Sequence, residues 1–146
     1  MKRSFTLLIA IGVAGMVAGA GSAQATPRSG ALHVTKECSQ YDFTAGSFCT
    51  ITSSNIPQIK PGMRVVYREA LGQSGLDSDL VIEGPGNNNA FGHVVLDPST
   101  LTGVVTLSGG TGEFTHLHAG PLAVACPAYP ACSWDGPYSF TPGAEE

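Results

Sequence analysis

The chain has 146 residues, of which 42% are hydrophobic and only 12% charged, with a formal net charge of −4. Past residue 25 the basic residues are Arg28, Lys36, Lys60, Arg64 and Arg68, scattered among eleven acidic ones. That balance disfavours nucleic acid or an anionic membrane surface as a partner.

The N-terminus has the order of a secretory signal. Met1-Lys2-Arg3 supplies positive charge, Phe5 to about Ala20 is apolar, and Ala23-Gln24-Ala25 closes with small residues. The apolar run is rich in Gly and Ala and shorter than the ~20 residues of a spanning helix. Residues 1–25 are therefore expected to be a removed signal peptide. Residues 26–146 would be a single domain, exported to the periplasm or the extracellular space and free of the membrane after signal removal.

All four cysteines, Cys38, Cys49, Cys126 and Cys132, lie past the signal. An even count in an exported chain points to two disulfides. Three connectivities are possible, and Cys38–Cys49 with Cys126–Cys132 is preferred because each closes a short, turn-rich segment. The spacings do not suit a zinc ribbon or finger.

After Ala25 no stretch has a helical period. Eight runs read as strands: Ala31–Lys36, Phe48–Ser53, Arg64–Ala70, Asp79–Glu83, Ala90–Asp97, Thr102–Ser108, His116–Ala125 and Ser133–Thr141. Gly, Pro and Asn clusters separate them. An antiparallel meander follows, closed as a barrel or folded as a sandwich. Thr26–Gly30 and Gly143–Glu146 read as mobile tails.

Alternation assigns faces without saying which is inward. Val65, Tyr67 and Glu69 share one face, as do Phe91, His93, Val95 and Asp97. His116, His118, Gly120 and Leu122 form another set, and Trp134, Tyr138 and Phe140 a fourth. The bulkier, aromatic faces carrying Tyr67, Phe91 and Trp134 are expected to fill the interior.

Ser108-Gly109-Gly110-Thr111-Gly112-Glu113-Phe114 contains GGTGxF after a β-run, and Trp134-Asp135-Gly136-Pro137-Tyr138-Ser139-Phe140 closes the pattern. With Phe91-Gly92-His93-Val94-Val95-Leu96-Asp97, this resembles the allene oxide cyclase-like and dirigent-like barrel superfamily, in particular its small exported bacterial members. The likeness runs from about Arg64 to Phe140. It implies an all-β fold, a single eight-stranded antiparallel β-barrel with an apolar cavity, often as a dimer or trimer. Plant cyclases of this kind cyclise an unsaturated fatty-acid epoxide, and dirigent proteins steer the coupling of phenoxy radicals. The acidic motif near the start of the plant cyclases has no counterpart between Thr26 and Asn55.

The functional expectation is a barrel that binds a small apolar or aromatic ligand, lined by Tyr67, Phe91 and Trp134. One alternative is a cyclase or isomerase in which Glu69, His93 or Tyr67 moves a proton, since an apolar cavity raises a carboxyl pKa. The other is an interaction protein that uses the barrel exterior, with a homo-oligomer among its forms. His116 and His118 with His93 invite comparison with a three-histidine metal site. No carboxylate accompanies them in the sequence, so neither a metal nor any other cofactor is assigned. Gly109–Gly112 lacks the Lys-Ser/Thr of a phosphate loop and reads as a tight turn needing positive φ. Asp77 and Asp79 with Asn87–Asn89 read as a solvated acidic loop.

Overall fold

A computed structural model describes residues 28–141, so the expected signal segment and C-terminal tail lie outside the described residues. The strands are β1 (Ser29–Glu37), β2 (Phe48–Ser54), β3 (Arg64–Tyr67), β4 (Leu76–Glu83), β5 (Asn89–Asp97), β6 (Thr102–Gly110), β7 (Leu117–Ala128) and β8 (Ala131–Phe140). Each pairs antiparallel with the next, and β1 pairs with β8 from Ser29↔Ser139 to Glu37↔Ala131, which closes the barrel. Eight strands enclose a space that side chains can just fill.

The alternation drives closure. On β1, Leu32, Val34 and Lys36 point inward while His33 and Thr35 face out. Tyr67 and Trp134 are 2% and 0% exposed and sit inside. Phe91 does not: it is 42% exposed. The inward face of β5 is that of Ala90 and Val94, so Phe91, His93 and Val95 lie outside, against the expectation drawn from bulk. The curvature explains this choice. Gly92 lies so close to β6 that an added Cβ would stand 2.5 Å from the Thr106 carbonyl oxygen.

Three boundaries also differ from the sequence reading. Ser29 and Gly30 belong to β1 rather than to a tail. β3 stops at Tyr67 because the chain turns at Glu69, whose N–H donates to Ser78 Oγ at 3.0 Å. β4 begins at Leu76, and Asp77 and Asp79 are outward strand residues rather than loop residues. In β7 the inward residues are Leu117 and Ala119, then Leu122 and Val124. The register shifts between Ala119 and Ala123, across the cis Gly120–Pro121 bond, so His118 and Leu122 do not share a face.

The barrel has two distinct poles. At one, Phe114 from the short helical turn Gly112–Phe114 is fully buried, with Ile56 and Ile59 of the β2–β3 connection also in the core. Gly109 and Gly112 take φ of 87° and 57°, the positive values that tight turns require. At the other pole the disulfides Cys38–Cys49 and Cys126–Cys132 hold the β1–β2 loop and the β7–β8 hairpin, the preferred pairing.

Candidate functional site

The disulfide pole holds a cavity of about 50 Å³. Lys36 comes from β1, Tyr67 from β3, and Val94 and Leu96 from β5, with Tyr41 and Phe43 from the β1–β2 loop and Tyr129 beside the β7–β8 turn. Phe43 and Tyr129 are 49% and 43% exposed, so they form the rim. Tyr41 packs edge-on against both Phe43 and Tyr67, each with ring centroids 5.1 Å apart. The Tyr129 hydroxyl donates to the Cys38 carbonyl at 3.4 Å, tying the rim together.

Lys36 is the unusual member of this site. It is 5% exposed, yet it forms no ion pair among the described residues. Its Nζ donates a short hydrogen bond to the Tyr67 hydroxyl and lies 4.8 Å from the Trp134 ring centroid and 5.2 Å from that of Tyr67. The aromatic faces favour the cation by roughly 1–2 kcal/mol. Desolvation works the other way and is larger, bringing the amine from its ordinary 10.5 to about 7. Burial likewise pushes the Tyr67 phenol well above its usual range. Two further donors are buried without a partner among the described residues, the Tyr41 hydroxyl on the cavity wall and the indole N–H of Trp134. Buried polar groups are rarely left so.

The sequence analysis missed Lys36, although its signal was present. Leu32, Val34, Lys36 and Cys38 alternate on one face, placing a lysine among three apolar inward residues. Of the residues predicted from the sequence, Tyr67 lines this cavity and Trp134 lies behind it, its ring against Lys36. Glu69 is exposed at the end of β3, where its carboxylate accepts from Ser78 Oγ and the Asp79 N–H, both at 2.8 Å. His93 is on the outer wall between Asp79, 2.8 Å from Nδ1, and Asp77, 2.6 Å from Nε2. The Asp79 hydrogen bond, then that of Asp77, holds the imidazole pKa above its usual value. The structure does not bring Glu69 or His93 into the interior. Nor do His93, His116 and His118 come together, and no group of three potential ligands is placed to hold a metal ion among the described residues.

Compared with family models, with curated proteins and with solved structures, the chain matches none.

Proposed function

We propose that this chain is an exported barrel of the allene oxide cyclase-like and dirigent-like kind, and that it binds a small apolar or aromatic molecule at the disulfide pole. The observation that carries this reading is the buried Lys36–Tyr67 pair beneath an apolar cavity. Burying an amine without a carboxylate is costly. A strongly perturbed titratable group in a concave, largely apolar site is the usual mark of a functional pocket. The Tyr41 hydroxyl supplies a further polar contact for a ligand. The two disulfides favour an oxidising compartment, in keeping with export.

The cavity limits the ligand. Its volume is about 50 Å³, below the ~300 Å³ of an ordinary ligand pocket and the ~150 Å³ that takes benzene. A group of a few heavy atoms enters directly, whereas an aromatic ring needs Phe43 and Tyr129 to swing outward. The cyclase or isomerase alternative keeps Tyr67 inside but has Glu69 and His93 on the exterior.

The test uses the chain's single tryptophan. Titration with propan-1-ol and with phenol should change Trp134 fluorescence saturably, and Val94→Phe, which fills the cavity, should abolish the response. A linear, non-saturating response of the unaltered protein to both compounds would exclude this reading.

A second reading rests on the outer wall. Phe91, Val95 and Val104 are 42%, 53% and 45% exposed. Val95 pairs with Val104 as one small apolar patch, while Phe91 covers the outward Val81 on the far side of the polar row Asp79, His93 and Thr106. We propose the Val95–Val104 patch as a self-association face.

A further inference from the structure

The geometry points to covalent capture of small apolar aldehydes and ketones by Lys36, as a Schiff base formed at the floor of the cavity. This rests on the binding reading above and adds the chemistry of the bound group.

Lys36 carries the nucleophile of this site. The cysteines at the same pole are all in disulfides. The titratable groups facing Lys36 are phenols: Tyr67 from β3, Tyr41 from the β1–β2 loop and Tyr129 beside the β7–β8 turn. Burial holds each phenol above its usual pKa, so none offers an anion to keep the lysine charged. With its pKa brought to about 7, roughly half of the amine is free base at neutral pH. For a lysine in water that fraction is on the order of one in a few thousand. A desolvated lysine of this kind is the ordinary form of an imine-forming nucleophile.

The neighbouring groups suit the reaction. The amine lone pair attacks the carbonyl carbon, and the C=O π pair moves onto oxygen. Tyr67, already hydrogen-bonded to Nζ, relays the proton from nitrogen to that oxygen. The resulting carbinolamine loses its hydroxyl as water while the C=N bond forms, so one amine and one carbonyl give one imine and one water. The Tyr41 hydroxyl, which lines the cavity and is buried without a partner among the described residues, is available to the carbonyl oxygen. The volume of about 50 Å³ selects carbonyls of a few heavy atoms.

The experiment treats the disulfide-bonded protein at pH 7 with propanal and dimethylamine–borane, a neutral reductant, followed by peptide mapping. Reduction fixes the imine as a secondary amine that adds the aldehyde's mass less one oxygen. Lys36 should be labelled at least tenfold faster than Lys60, whose side chain is 52% exposed. The labelling rate should rise through an inflection near pH 7, and Tyr67→Phe should slow it several-fold with the inflection still present. Label on Lys60 and the N-terminus with Lys36 blank would overturn the inference, and because both lysines are read in one folded sample, no variant is needed for that result. Propan-1-ol, which cannot form an imine, separates the two levels. A saturable Trp134 response to propan-1-ol with Lys36 unlabelled rejects covalent capture and leaves the binding reading standing. No response and no label reject both.

Discussion

At pH 6 the Lys36 ammonium must leave water for a wall of tyrosine and tryptophan, and this shapes the pH dependence of folding. Its pKa falls from 10.5 in the unfolded chain to about 7 in the folded one. Between these values the unfolded state binds more protons, so stability rises with pH from about 7 towards 10.5 and the penalty is fully present below about 7. The shift corresponds to a penalty on the order of 4–5 kcal/mol, partly offset by the aromatic faces. Replacing Lys36→Met together with Tyr67→Phe leaves no stranded hydroxyl and removes that penalty. Thermal melts should show the double variant more stable than the parent, by a larger margin at pH 6 than at pH 9.5. An equal margin at both values would mean that Lys36 is not desolvated as described. The residue was within reach of sequence reasoning through the Leu32, Val34, Lys36, Cys38 alternation. What hid it was the habit of assigning lysine to solvent. Phe91 shows the converse: aromatic bulk argued for the interior, but the close approach of β5 to β6 at Gly92 decides which face curls inward.

Among the elements, the β1–β2 loop and the β7–β8 hairpin matter most, because both frame the cavity and both are cross-linked. Cys38–Cys49 spans a sequence separation of 11 and Cys126–Cys132 one of 6. Loop entropy assigns them roughly 3 and 2 kcal/mol respectively. Denaturant unfolding should therefore rank Cys38→Ala/Cys49→Ala as the more costly double variant. It should also weaken the Trp134 response to propan-1-ol, since this pair anchors the loop bearing Tyr41 and Phe43. A smaller loss than for Cys126→Ala/Cys132→Ala would contradict the ranking. All eight strands were legible from alternation and punctuation, and so was the preferred cysteine pairing. The first three residues of β4, ahead of the expected start at Asp79, were hidden because Asp77, a poor strand former, takes an outward position among them. The shift in β7 had a visible marker in Pro121, since a proline inside a strand signals a bulge. The cavity itself was not legible, because it is assembled from loops and strand ends far apart in the chain.

For the molecule as a whole, closure leaves none of the eight described strands with a free edge, so the outer wall offers side chains rather than strand addition for self-association. The paired Val95 and Val104 are an exposed apolar patch suited to it. Sedimentation velocity should detect a species larger than the monomer, and Val104→Lys should shift the distribution towards monomer without lowering the melting temperature by more than a few degrees. Parent and variant sedimenting alike as monomers would remove the patch from consideration. The β1–β8 seam has a different consequence. Ser29 and Ser139 meet at the pole plugged by Phe114, while Lys36 and Cys132 meet at the other. The first strand thus starts, and the last one finishes, at the pole away from the rim. A cargo or solid support joined directly before Ser29 or after Phe140 would sit behind the barrel, leaving Phe43 and Tyr129 turned towards whatever diffuses past.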